Sequence, residues 1–275
     1  MSTAFINRPP TPQEFERLRL ILSTFQDGTG SLPGLDGKTL PGGFQFEVSL
    51  ALALGGIVTG KKGKFDVLLT TAQQGSVKFG LSCKMKADLD NIARENRVYI
   101  EESNAPAATW IYLNQRGITR QNLKTRSLDA GRCLLERFKE THIAAAQSPQ
   151  GTINVTSSSL VFLSYNLRGD YQLYWFPLHV VNTSHLIKCE VPQKAVKGGG
   201  TADCKMLRGY DTEGILFDWY WDSGGQFKIY PTVAAAKWKS EIFRLEPLPT
   251  GENTGLIFKP ANYFPKQWAA AISKS

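Results

Sequence analysis

Three stretches hold charged side chains where apolar ones would pack better, and together their types could do chemistry. Glu47 lies in the run 44–54, whose periodicity predicts a helix closed by Gly55-Gly56. There it shares a face with Leu50, Ala51 and Leu54, and a carboxylate on an apolar stripe is costly unless something positive meets it. Asp66 falls in a predicted strand over 64–70, on the face of Lys64 and Leu68. A turn at 73–75 leads to a second strand over 76–84. It ends Leu81-Ser82-Cys83-Lys84, whose alternation puts Ser82 beside Lys84. Carboxylates that converge in a partly dry site repel one another unless a cation sits between them. Singly, Glu47 reads as a helix-edge acid, Asp66 as a turn cap and Lys84 as a solvated strand cation. The ordered set carries the chemical reading.

That set, a helix acid, a strand acid and a polar-x-Lys on the neighbouring strand, resembles the PD-(D/E)XK nuclease core. The resemblance covers roughly 44–113. It implies Glu47 as the helix acid, Asp66 as the metal-bridging acid and Lys84 as the catalytic lysine. Phe65 stands where Pro is often found, and Ser82 replaces the second acid. Some restriction enzymes of this superfamily carry Ser at that place and draw the missing carboxylate from the following helix. Arg97-Val98-Tyr99-Ile100-Glu101-Glu102-Ser103-Asn104 offers one, and it is similar to a stretch of uncharacterised type II restriction enzymes. Glu101 is therefore expected as the migrated acid, with Glu95 and then Glu102 as alternatives. A second stretch, Ser223-Gly224-Gly225-Gln226-Phe227-Lys228-Ile229-Tyr230-Pro231, resembles a segment of the same enzymes. Oxygen ligands and a phosphate substrate favour Mg²⁺, with Asp66, Glu47 and Glu101 as the implied metal-holding acids. Lys84 would orient the attacking water and stabilise charge that exists only in the transition state.

These residues need elements to hold them. A helical pattern over 12–25 precedes a Gly/Pro-rich connector. After the hairpin, 86–102 reads as helical, 109–113 (TWIYL) as a buried strand and 127–146 as a long helix. Strand-like runs follow at 152–167, 171–181 and 214–220. The expected fold is α/β. The resemblance implies a restriction-endonuclease-like core, a central mixed sheet flanked by helices, with a β-rich C-terminal extension. Its expected parts are an N-terminal helix and connector (1–43), a catalytic core (44–150) and a β-rich part (151–275) completing one integrated domain.

The chain has 275 residues, 42% of them hydrophobic, and 32 Lys+Arg against 24 Asp+Glu, a net +8. This composition excludes a disordered chain, and the surplus of positive charge points to an anionic partner. No apolar run is long enough to span a bilayer, and no secretion signal is seen. Four cysteines without metal-ligand spacing read as reduced thiols, so a cytoplasmic location is expected. The three histidines are scattered without ligand spacing, and the helix cations Arg132, Arg137 and Lys139 read equally as a solvated face.

The loop 116–126 supplies Arg116, Arg120, Gln121, Asn122, Lys124 and Arg126. Their donors suit phosphates and base edges of double-stranded DNA. Ser223, Gln226 and Lys228 have the same chemistry, while Trp219, Tyr220 and Trp221 read as core. The leading expectation is a type II restriction endonuclease, Mg²⁺-dependent and acting on a short specific site. A palindromic site would be read by a homodimer. A repair nuclease of the same superfamily and a DNA-binding protein that does not cut are the alternatives.

Overall fold

The computed structural model describes residues 3–34, 38–60, 63–70, 77–103, 105–147, 153–196, 199–222, 225–249 and 258–272. In chain order it contains α1 (Pro12–Ser23), β1 (Leu32–Pro33), β2 (Thr39–Leu40), α2 (Gly43–Leu54), β3 (Ile57–Val58), β4 (Val67–Thr70), β5 (Lys78–Lys86) and α3 (Leu89–Glu95). Then come β6 (Ile100–Ser103), α4 (Pro106–Asn114), α5 (Ser127–Ala146), β7 (Ser159–Tyr165) and β8 (Asp170–Pro177). The last part holds β9 (Lys188–Glu190), β10 (Gln193–Ala195), β11 (Thr201–Asp203), β12 (Met206–Tyr210), β13 (Ile215–Tyr220), β14 (Gln226–Ile229), β15 (Trp238–Lys239), β16 (Phe243–Arg244), α6 (Phe258–Tyr263) and α7 (Pro265–Ile272).

The fold is mixed α/β. Its main sheet, among the described residues, runs β15-β8-β7-β5-β4-β3 with β16 also on β8. The β5–β7 pair is parallel and the others antiparallel, so the chain leaves β5, crosses through α3 to α5, and returns as β7. Residues 151–275 thus complete the sheet that 44–150 begins. Alternation splits the central strands between two cores. Leu81, Cys83, Val161, Leu163, Leu173 and Trp175 face α1 and α2. Leu160, Phe162, Tyr174 and Phe176 face α5 and a second, antiparallel sheet, β6-β14-β13-β12-β9. No helix among the described residues is long and apolar enough to cross a membrane.

Local signals set the helices that matter. Thr11 and Glu14 form a reciprocal capping box around Pro12, starting α1. Gln45 accepts from the Gly42 amide at 2.9 Å to start α2, and left-handed Gly55 (φ 70°) ends it. Gly131 lets α5 lie directly against Cys189 of β9, because a Cβ there would collide with the Cys189 sulfur.

Three sequence expectations change. TWIYL lies inside α4: Pro106 opens a helix, and a five-residue apolar run cannot by itself distinguish a buried strand from a buried helix. The 86–102 segment is helical only through α3, stops at left-handed Asn96 (φ 54°), and becomes strand β6. Finally, β4 starts at Val67, so Asp66 precedes the strand. The turn predicted at 73–75 lies outside the described residues.

Candidate active site

Asp66 and Lys84 meet where β4 begins beside β5. The backbone amide of Cys83 donates to Asp66 Oδ2 at 2.7 Å, and Lys84 Nζ lies 3.8 Å from the same oxygen. Gly80 makes this arrangement possible, since the Phe65 ring occupies the space a Cβ at Gly80 would need. With Phe65 buried on β5, the next residue is turned toward Cys83 and Lys84. Burial raises the Asp66 carboxyl above its ordinary pKa, against the pull of Lys84 and the Cys83 amide.

Glu47 approaches from α2, whose buried Phe46, Leu50, Ala51 and Ala53 anchor the helix. Its carboxyl is pushed up to about 7 by burial and the Asp66 charge, with Lys84 opposing. From the other side comes Glu102 of β6, 3% exposed, whose Oε1 has no hydrogen-bond partner among the described residues. Burial raises its pKa, Lys84 and then Lys64 oppose that rise, and Asp66 adds to it. Burial would lower the Lys84 ammonium, but Glu102, Asp66 and Glu47 outweigh it and the net direction is upward. Asp66 and Lys84 are thus the shared centre, with one glutamate on each side. Ser82, fully buried on β5, also leaves its hydroxyl without a partner among the described residues.

Glu101 does not join this centre. It accepts from Tyr99 Oη at 2.6 Å and Gln226 Nε2 at 2.7 Å, and Lys86 Nζ lies 3.5 Å away. It lines a shallow groove with Lys84, Lys86 and Tyr99, one cation removed from Asp66. Glu95 is at the surface, paired with Arg94 at 3.0 Å. Strand alternation turns Glu102 inward and Glu101 outward, which a helical reading of this segment could not reveal. Of the three glutamates, it is Glu102 whose charge acts on Lys84 and Lys64 and feels that of Asp66.

The donors are all hard oxygens, which fits Mg²⁺ held through two carboxylates and its own waters. Glu47 and Asp66 would hold it, with Glu102 behind Lys84. Among the described residues no three His, Cys, Asp or Glu side chains gather as a metal-binding group.

The expected DNA-facing residues divide. Asn122 accepts from the Thr119 amide and donates to Gly117 O, and Arg126 donates to Gly117 O and Asp129; these two hold the loop's shape. Arg116 stacks on Tyr112 and Arg120 on Trp110, both with exposed side chains, and Gln121 is exposed. Lys124 pairs with Asp203 at 2.6 Å. Gln226 is bound to Glu101, Lys228 lies over the Tyr99 and Tyr220 rings, and Ser223 is outside the described residues.

The two stretches picked out by resemblance are neighbours. β6 and β14 pair antiparallel, Glu101 opposite Lys228 and Ile100 opposite Ile229. Arg97 locks them by donating to Tyr230 O and Ile215 O and pairing with Asp211 at 2.7 Å. Trp219 is fully buried, as core. His142 and His179, far apart in sequence, pack with ring centroids 5.2 Å apart. Scattered in sequence, these two histidines are brought together by the fold as a ring contact.

Against known proteins, no family model matches the chain, and no curated protein and no solved structure matches it either.

Proposed function

We propose that this chain is a Mg²⁺-dependent nuclease with a PD-(D/E)XK-type centre on a restriction-endonuclease-like core, acting on double-stranded DNA at a short specific site, as a type II restriction endonuclease does. The observation that carries the reading is Asp66 bonded to the Cys83 amide with Lys84 at 3.8 Å, flanked by the shifted carboxyls of Glu47 and Glu102. Four ionisable groups with mutually perturbed protonation in one place are what proton handling and phosphate chemistry require.

Held by Asp66 and Glu47, Mg²⁺ would lower the pKa of a bound water and offset phosphate charge. Lys84, kept protonated by the surrounding acids, would orient the attacking water and meet the charge that develops on the phosphate oxygens. Glu102 adds a second negative charge that acts on Lys84 from β6. Arg116, Arg120 and Gln121 are available for the duplex, and a palindromic site would bring two copies together in a homodimer. A cytoplasmic location suits such an enzyme.

Plasmid or phage DNA incubated with the protein and Mg²⁺, beside an EDTA control, tests the reading. Discrete fragments that need Mg²⁺ support it. Preference for branched substrates would favour a repair nuclease. Binding without cutting would replace it with a DNA-binding protein, a second reading favoured by Ser82 and by the want of a three-acid group among the described residues.

A further inference from the structure

Lys86 and Lys228 meet at one tyrosine just outside the centre. Lys86 Nζ lies 2.8 Å from the centroid of the Tyr99 ring, and Lys228 Nζ lies 5.1 Å from it. The strands explain the meeting. Lys86 follows Lys84 by two residues on β5, so the two share a face and stand about 6.5–7 Å apart along the strand. Lys228 of β14 is directly opposite Glu101 of β6, and Tyr99 bonds to Glu101 on that same side. A groove of about 170 Å³ is lined by Lys84, Lys86, Tyr99 and Glu101, with Met85 and Phe162. The lysine side chains in it are partly exposed, 27% for Lys84 and 32% for Lys86.

The two outer cations differ in what balances them. Lys86 has Glu101 at 3.5 Å and feels the charge of Asp88. Lys228 makes no ion pair among the described residues, and the acids on its neighbouring strands are already used. Glu101 accepts from Tyr99 and Gln226. Asp218, opposite Lys228 on β13, accepts from Arg208 at 2.7 Å and from Tyr230 at 2.9 Å. What places Lys228 is a pair of rings, Tyr99 and Tyr220, the second with its centroid 4.7 Å from Nζ. Ring faces position a cation without cancelling its charge. An ammonium fixed in this way has less freedom to lose when an anion arrives.

We propose that Lys228, with Lys86 beside it, takes a backbone phosphate of the DNA strand that reaches Lys84. The step from Lys84 to Lys86 is comparable to that between neighbouring phosphates of one strand. The seat is therefore for the phosphate next to the one at the centre. Contacts of this kind carry no base information and set the strand's register. This seat deepens the proposed function and rests on its DNA substrate, though not on cleavage.

Fluorescence anisotropy tests it, with a labelled duplex of mixed sequence titrated by the full chain in EDTA between about 50 and 200 mM salt. Lys228→Gln is expected to bind more weakly throughout this range. It is also expected to flatten the slope of log K against log salt by about 0.9, the share of one phosphate. Lys228→Arg is expected to restore the slope, and Lys86→Gln to act in the same direction as Lys228→Gln. Lys237, over the Trp175 ring at 5.0 Å, is a ring-held lysine elsewhere, and Lys237→Gln is expected to leave the slope unchanged. A parental slope in Lys228→Gln, or an equal loss in Lys237→Gln, overturns the proposal; if the parent still cuts DNA, the nuclease reading stands. A flattened slope in a chain that binds but never cuts keeps the phosphate seat and removes the nuclease. No DNA binding at about 50 mM salt overturns both.

Discussion

Gln226 donates its side-chain amide to Glu101 Oε2 at 2.7 Å, across 125 positions of sequence. The bond holds Glu101 at the outer side of β6, where Tyr99 and Lys86 complete its partners. Its chain neighbour Glu102 is thereby turned inward, toward Lys84 and Lys64. Of two adjacent glutamates, one is solvated and satisfied, and the other is buried with an oxygen to spare.

The first prediction follows from that difference. Glu102→Gln is expected to lower Mg²⁺-dependent cleavage at least about 100-fold, and Glu101→Gln less than about 10-fold. Initial rates on a plasmid containing the cut site would give the order directly. The reverse order would return the role to Glu101.

Asp66→Ala and Lys84→Ala are expected to abolish cutting while leaving DNA affinity within about 3-fold, because neither lies in the loop offered to the duplex. Gel-shift titration in Ca²⁺ or EDTA, beside cleavage in Mg²⁺, separates the two effects. Retained cleavage in either variant would mean the centre lies elsewhere.

Glu47 gives stability a pH signature. Its folded pKa of about 7 lies above the ordinary 4.5, so the folded state holds this proton more tightly. The resulting stabilisation is fully present below the unfolded value and is lost as pH rises through about 7. Glu47→Gln is therefore expected to melt higher than the parent at pH 8 and alike at pH 4. Added Mg²⁺ should raise the parent's Tm at pH 8 and leave Asp66→Asn unmoved, which calorimetric scans would detect.

The histidine pair acts in the opposite sense. Burial, then the charges of His179 and Lys64, push His142 down to about 3; burial and Lys139 push His179 down to about 4. Both fall below the ordinary 6.5, so their contribution is complete above that value and lost as pH drops toward 4 and below. His142→Phe is expected to make the acid limb of the urea midpoint against pH shallower. An unchanged limb would assign acid sensitivity to other groups.

Arg97 tests the joint between the two resembling stretches. Its side chain is 11% exposed and serves two carbonyls and Asp211. Arg97→Met is expected to destabilise the fold by about 1–3 kcal/mol, because two carbonyls lose a donor while Asp211 keeps the Glu213 and Gly214 amides. Urea denaturation measures this, and a loss under ~1 kcal/mol would show the network to be dispensable.

Much of this was written locally. The apolar periodicity of α2 and α5 matched their helices, and Gly55 marked the end of α2. The alternation of β5 put Ser82 and Lys84 on one face. TWIYL was not legible, because five residues that are apolar even at the exposed Ile111 show no period. The 86–102 segment misled because its charge pattern is helical only as far as Asn96.

What the sequence by itself determined was the set of groups that could meet: a helix acid, an acid read as lying in a strand, and a lysine two residues beyond a serine. Only the tertiary structure decided which of the adjacent glutamates 101 and 102 turns toward Lys84, since β6 takes its direction from β14, more than a hundred residues away. It also decided that Lys228 meets the Tyr99 ring and that His142 meets His179. The physical reason is the same in each case. Helix and strand periods fix which residues share a face, but the neighbour that face meets is chosen by long-range packing.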